Sequence, residues 1–545
     1  KTLREKEARP EVSTRELATG IEELEQRLRR ENPAYAQAAR LQAPTVAQVQ
    51  QALQLDEALV EYVQFHPYDE ATKQLAKIWH YGVYVVRDSQ IPVVAIDLGD
   101  AAPIDAAIQK FHEGIERAKP YAKVKPSEGQ ARAAEATLAK VSATLGHLIW
   151  QPLETSLIGV KRIYVAPDGQ LGLFSFEALA QRTNRGSWQY LVEEREVVYL
   201  NTGRDLARLA LTAETGASAQ PAPRTAVLIG NPKFGAQPKE VAQVVAELPS
   251  TVPRRIISKA ASAGATLGAT VDQDRARIPR DWLQYDELNS LLTGAERQLH
   301  GAGWIVTTKR DRAAVEPAVL QLQAPRILQF ATHGYLLEHA NFEKTGSWEN
   351  PLLRSMLILA GANRATPEQS LFYQIGKDLL TESEVQRRQL SHEARQQARH
   401  IEVGDGILTA YEVTGMNLQG TELVNLTACK TGLGTVTPEG IVGLRQAFFF
   451  AGARALTTSL WEVPVAETTR QIGDFYARWL GGTGGKLGMT RYAAFRQTQL
   501  AALAHARKTY GAGHPFFWAG FIYLGDPGDL KARKPQFQRN SGKIK

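Results

Sequence analysis

Cysteine is almost absent, with one in 545 residues. That excludes a disulfide framework and any cysteine-rich zinc site, and no metal or cofactor is expected. Long apolar runs are missing too. The longest, around Phe448-Phe449-Phe450, is flanked by Arg445 and Arg454 and is too short and too charged to span a membrane. The opening Lys1-Thr2-Leu3-Arg4-Glu5 has no signal-peptide shape and no initiator Met, so the chain is expected to be a cytoplasmic piece of a longer protein. No Gly-x-Ser-x-Gly elbow is present, which argues against an α/β-hydrolase. Gly481-Gly482-Thr483-Gly484-Gly485-Lys486 falls short of a phosphate-binding loop, because Leu480 replaces the first glycine and Leu487 the hydroxyl residue.

Basic residues are concentrated without any acid at one end of the chain. The last fifteen residues hold Lys531, Arg533, Lys534, Arg539, Lys543 and Lys545 and no acid. They carry nearly all of the net +7, so the rest of the chain is close to neutral. The tail, 531–545, reads as a basic disordered end, and nucleic-acid binding is confined to it.

What is present divides the chain. Residues 1–54 are expected to be helical, with Ile21, Leu24, Leu28, Tyr35, Ala38 and Leu41 at helical spacing. From residue 55 the pattern turns to strands alternating with helices. Residues 55–246 form one α/β unit and 288–530 a second, with an irregular Pro- and Arg-rich insertion at 247–287. Between Leu359 and Asp405 a charged segment is predicted to be helical and solvent-facing, either a lid or a surface insertion, and Arg387-Arg388 in it would suit self-cleavage after a basic residue.

The single cysteine stands in Leu426-Thr427-Ala428-Cys429-Lys430-Thr431-Gly432, after the β-prone run Glu422–Leu426. His333, 96 residues upstream, stands in Ala331-Thr332-His333-Gly334 after Arg326–Phe330. A lone cysteine is most often a small buried hydrophobe, and a lone histidine a structural one. Two strand ends that offer a thiol and an imidazole before glycine turns instead favour a nucleophilic Cys–His pair at the carboxyl edge of a parallel sheet.

These motifs resemble the CHAT domain family, caspase-like cysteine peptidases often found behind tetratricopeptide repeats. The matching stretches are Thr427–Gly434, Glu439–Leu444, Ala451–Arg454 and Ser459-Leu460-Trp461, with Ala331–Gly334, Pro351–Ser355, Leu408–Val413 and His514–Ala519 around them. The resemblance implies a caspase–hemoglobinase-like, mostly parallel sheet flanked by helices, with a degenerate pseudo-peptidase half before an active half. It implies His333 as base and Cys429 as nucleophile. The N–H groups of Gly334 and Cys429 are the oxyanion candidates. Separase, a related peptidase that cuts after Arg, has an acid after its Leu-Trp. By that likeness Glu467 is the leading S1 candidate and Glu462 the second, although the family's acids stand where this chain has Pro464 and Val465. The expected activity is cleavage of a protein substrate after Arg, with Lys weaker. Control by N-terminal repeats or a partner protein, in a bacterial defence or cell-death pathway, is also implied. The alternative is a non-catalytic caspase-like scaffold.

Overall fold

A computed structural model describes residues 44–184, 186–215, 223–249, 278–337, 350–365, 371–428, 430–437, 440–481 and 488–530. Most of the expected helical start, the basic tail, most of the 247–287 insertion, residues 482–487 and Cys429 itself lie outside the described residues.

Eleven strands form one sheet. In chain order they are β1 (Glu57–Phe65), β2 (His80–Val86), β3 (Val94–Asp100), β4 (Arg162–Ala166), β5 (Glu196–Tyr199), β6 (Thr225–Pro232), β7 (Ile305–Asp311), β8 (Ile327–Ala331), β9 (Leu423–Leu426), β10 (Ala455–Ser459) and β11 (Phe521–Gly525). Across the sheet the order is β7-β6-β8-β9-β10-β11-β5-β4-β1-β2-β3. Only the β10–β11, β1–β2 and β2–β3 pairs are antiparallel. The mostly parallel α/β sheet expected from sequence is present.

Burial explains the strand sequences. β8, β9, β10 and β11 are buried along their whole length, as strands covered on both faces must be; β8, β9 and β11 read as mostly apolar runs, while β10 buries Thr457, Thr458 and Ser459 with hydrogen-bond partners. The edge strands β3 and β7 alternate between more and less exposed positions instead.

The antiparallel β10–β11 seam divides the sheet into two groups of parallel strands with opposite directions. β6 pairs with β7 and β8, so it belongs with the later strands although it precedes the 247–287 insertion. β11, from the chain's end, pairs with β5 of the earlier group. One continuous apolar core runs under both groups.

Helices α1 (Ala101–Arg117) and α2 (Glu128–Ile149) pack on each other beside the earlier group. Beside the later group α4 (Asp286–Gly301), which follows α3 (Pro238–Glu247), packs on α6 (Val465–Leu480) and α6 on α7 (Arg491–Tyr510), while the short α5 (Leu444–Phe450) leads into β10.

The segment between Leu359 and Asp405 departs from the expected solvent-facing helix. Its described residues hold a three-stranded antiparallel sheet of Leu371–Ile375, Asp378–Thr381 and Arg399–Glu402, with two short helices, Glu382–Arg387 and His392–Gln397. Phe372, Leu379, Ile401 and Val403 bury against Val241 and Val245 of α3 and against Val315 and Ala318. The numerous charges lie between these few apolar residues and hid them in a composition-based reading. Arg387 and Arg388 are exposed at the end of the first short helix.

Candidate active site

The parallel strands β8 and β9 are neighbours, with Phe330 opposite Leu426, and the N–H of Thr427 donates to the Phe330 carbonyl at 2.8 Å. The segments that follow them, Thr332-His333 and Thr427-Ala428, therefore leave the sheet side by side at its carboxyl edge. β10 is next in order, and its continuation carries Trp461 and Glu462.

A buried polar network locks these three strands together. The Gln329 amide donates to the Thr427 hydroxyl at 3.0 Å, and the Gln329 carbonyl oxygen accepts from Tyr476 at 2.8 Å and from the Asn425 amide at 3.3 Å. Thr457 donates to Asn425 at 2.6 Å. Every strand contributes a partner, so none of these polar groups is left unmet on this path.

The loop after β9 is pinned in turn. The Ala428 carbonyl accepts from Ser459 at 2.7 Å and from Thr431 at 3.0 Å, and Thr458 donates to Thr431 at 2.8 Å. Lys430 sits at φ +57°, a left-handed conformation that a long side chain rarely adopts. Such strain persists only where surrounding contacts enforce it, and it tends to occur at functional turns. On the other side, Gly230 of β6 allows the chain before His333 to approach. A Cβ there would meet the Ala331 carbonyl oxygen at 2.6 Å.

His333 is half-buried. Its Nε2 lies 2.8 Å from the Leu283 carbonyl oxygen. A carbonyl only accepts, so Nε2 carries the hydrogen, and in the neutral ring Nδ1 keeps the lone pair. Phe234, Trp282 and Tyr285 surround the ring, with centroids 5.2, 5.0 and 5.4 Å away. This burial holds the His333 pKa below the ordinary imidazole value; the Leu283 bond and the field of Glu462 oppose it in part.

Leu283, Trp282 and Tyr285 belong to the end of the 247–287 stretch read as an irregular insertion. Reciprocal bonds fix that end in place. The Trp282 N–H donates to Asn363 at 3.1 Å, and Asn363 donates back to the Trp282 carbonyl at 2.9 Å. The Tyr285 N–H donates to Asn231 at 3.1 Å. The only signal in sequence was the pair of aromatics just before α4. A backbone carbonyl as the histidine's orienting partner leaves no trace in sequence at all.

Gly334 begins a short strand, Gly334–Leu336, that pairs antiparallel with Ser355–Ile358. The Ile358 N–H donates to the His333 carbonyl at 3.0 Å, and the Leu337 N–H to the Arg354 carbonyl at 2.9 Å. Hydrogen-bonded pairs alternate along such a ladder, so residues 333, 335 and 337 face their partners and Gly334 turns its N–H the other way.

The two candidate acids differ. Glu467 is buried on α6, and its carboxylate is engaged by Arg470 at 2.6 Å, with Tyr510 at 3.2 Å and His505 at 3.6 Å. Glu462 is about half exposed, is tied to Lys119 of the earlier group at 3.0 Å, and is the carboxylate whose field reaches His333.

The family model for the CHAT domain matches residues 139–526, well over half of the chain. The chain belongs to the CHAT domain family. Among curated proteins, human tetratricopeptide repeat protein 28 is 33% identical over 129 residues, which is 24% of this chain and 5% of that protein. The mouse protein of the same name is 30% identical over 129 residues, with the same coverage. This CHAT domain therefore spans only a small part of the relatives it matches. Among solved structures, the Arg-specific cysteine proteinase gingipain R is similar at a TM-score of 0.35 and 8% identity, over 72% of this chain and 68% of that one. Separase in the Saccharomyces cerevisiae separase–securin complex is similar at a TM-score of 0.39 and 8% identity, over 88% of this chain and 30% of that one. Likenesses this loose transfer no residue and no specificity. Among the described residues of the CHAT domain, no helix is long and apolar enough to cross a membrane.

Proposed function

We propose that this CHAT domain is a cysteine endopeptidase that cuts a protein substrate after a basic residue, Arg before Lys, with Cys429 and His333 as its dyad. The observation that carries the reading is the hydrogen bond from His333 Nε2 to Leu283, which leaves Nδ1 as the basic nitrogen at the end of the strand beside the one that leads to Cys429.

A cysteine thiol is mostly protonated at neutral pH. His333 Nδ1 takes that proton, and the sulfur attacks the scissile carbonyl carbon. The carbonyl electrons move onto oxygen, where the outward N–H of Gly334 and the N–H of Cys429 are the proposed donors. As the C–N bond breaks, His333 returns the proton to the leaving amine. Water, deprotonated by the same imidazole, then releases the acyl group from sulfur. Glu462, about half exposed after the end of β10 although paired with Lys119, supports a preference for a basic side chain better than Glu467, which is buried against Arg470. The repeat-protein relatives support control by N-terminal repeats or by a partner protein.

The scaffold alternative draws on the same aromatic cage, because a histidine packed by three rings also serves as plain core. One experiment separates the readings. A P1-diverse fluorogenic peptide library is incubated with this chain and with Cys429→Ala, with and without partner candidates, and a covalent Arg-electrophile probe is run in parallel. Arg-directed cleavage and labelling, both lost in Cys429→Ala, support the peptidase. No cleavage and no labelling under any condition supports the scaffold.

A further inference from the structure

Among the described residues, the strand that starts one residue after His333 is an edge strand. Gly334–Leu336 pairs with Ser355–Ile358 on one side only, and that strand pairs with Ile407–Thr409 on its other side. The bonds of Ile358 to His333 and of Leu337 to Arg354 set the parity: residues 333, 335 and 337 face inward. Gly334 and Leu336 therefore both direct their N–H and C=O outward, and among the described residues neither pairs with another strand. An unpaired row of this kind is a template for an added strand.

We propose that Gly334–Leu336 is a substrate subsite, where the polypeptide downstream of the scissile bond adds as a fourth strand of this small sheet. The proposal rests on the peptidase reading above. The order of strands fixes the direction. Glu462 follows β10, Cys429 follows β9 and His333 follows β8, and these three strands are consecutive in the sheet. A substrate with its basic side chain toward Glu462 and its scissile carbonyl over the end of β9 must carry its leaving segment past the end of β8, over Gly334–Leu336. Successive outward groups on a strand are about 7 Å apart, two residues of about 3.4 Å each. With the Gly334 N–H on the oxyanion, the next outward pair, on Leu336, meets backbone roughly two residues further along the substrate.

The subsite reads backbone rather than side chains. It predicts tolerance of many downstream residues, provided the segment is extended and keeps its N–H groups. Proline there is disfavoured, because it lacks the donor. The frame is rigid enough for this. Thr332 donates to the Ile358 carbonyl at 2.5 Å, and Arg354 reaches the Leu337 carbonyl at 2.8 Å through its guanidinium. These bonds hold both ends of the short strand.

The test uses the full chain and dodecapeptides with one central Arg, each N-methylated at a single downstream position, beside the unmethylated parent. Methylation at the second or third downstream residue is expected to lower kcat/KM about tenfold, mainly through KM, with methylation further out neutral. On the protein side, Leu336→Pro removes the outward N–H at an edge position where proline is tolerated, and Leu336→Ala keeps it. Only the proline variant is expected to lose the sensitivity to methylation, at unchanged melting temperature. If no downstream position responds, or if peptides cut off after the first downstream residue are hydrolysed equally well, the subsite is wrong while the peptidase stands. If even the unmethylated parent is not cleaved and the Arg-electrophile probe does not label Cys429, the peptidase reading fails and the subsite with it.

Discussion

The two strand groups share one architecture and differ at their carboxyl edges. At the edge of the earlier group, polar side chains close on their own backbone. Asp168 accepts from the N–H of Gln64 at 2.8 Å and of Gly169 at 2.7 Å, and Glu61 accepts from the N–H of Gly203 at 2.8 Å. Glu177 is wholly buried; that burial pushes its pKa up to about 7, while bonds from Tyr199 and Ser175 hold it back. At the edge of the later group, His333 keeps one ring nitrogen uncommitted and Glu462 stays half exposed. The difference is one of commitment: Asp168 and Glu61 are met by backbone donors of their own group, whereas the later edge leaves His333 Nδ1 open and Glu462 within reach of solvent beside Lys119.

The largest test of that contrast removes the open groups. Cys429→Ala or His333→Ala is expected to lower peptide cleavage by about a thousandfold or more, and His333→Ala also lowers the melting temperature because three rings pack on His333. If cleavage survives, the later edge is no more chemical than the earlier one.

A closed group should register in stability instead. His514 is buried, its Nδ1 accepts from the Phe516 N–H at 3.2 Å, and burial lowers its pKa from 6.5 to about 4. The unfolded chain binds this proton more readily, so the contribution is complete above about pH 6.5 and is lost as pH falls toward about 4. The loss totals about 3 kcal/mol. Melting curves against pH for the native chain and His514→Asn should diverge in that window.

Asp168→Ala leaves two backbone donors of the earlier edge without their acceptor. It should cost about 2 kcal/mol in denaturant unfolding and leave cleavage untouched. Trp282→Ala does the opposite. It uncovers His333, lets its pKa rise toward the ordinary value, moves the acid limb of the kcat/KM profile to higher pH, and lowers the rate about tenfold. Smallest of all, Lys119→Met breaks the contact between the groups at Glu462. It should change stability by less than about 1 kcal/mol and lower KM for Arg peptides severalfold. A fall in activity would instead make Lys119 part of the site.

The strands were legible because buried parallel strands announce themselves as apolar runs. β8 through Phe330 and β9 through Leu426 could be read directly, as could the turn at Gly432, but Gly334 opens a short strand where a glycine turn was expected. Pairing was not legible. β6 stands before a long insertion in the chain, yet its neighbours β7 and β8 come after it. The small sheet at 371–402 was obscured by charges that outnumber its few inward residues. The surroundings of His333 were hidden for another reason. Its hydrogen-bond acceptor is a main-chain carbonyl, and its cover comes from Trp282 and Tyr285, residues distant in sequence whose role depends wholly on tertiary packing. Sequence ranked Glu467 ahead of Glu462 as the S1 acid, and only tertiary packing separates them: Glu467 is buried against Arg470, Tyr510 and His505, whereas Glu462 stays about half exposed beside Lys119.

β11 is the sole strand that touches both groups, and it is made of residues 521–525 near the end of the described chain. A growing chain that has not yet released those residues from the ribosome carries two unjoined sheets, each with an open, sticky margin. The last strand works as a keystone. Until it is set, the two sheets share no strand, and the Trp461 indole N–H lacks the nearby Phe516 carbonyl that it reaches at 3.4 Å.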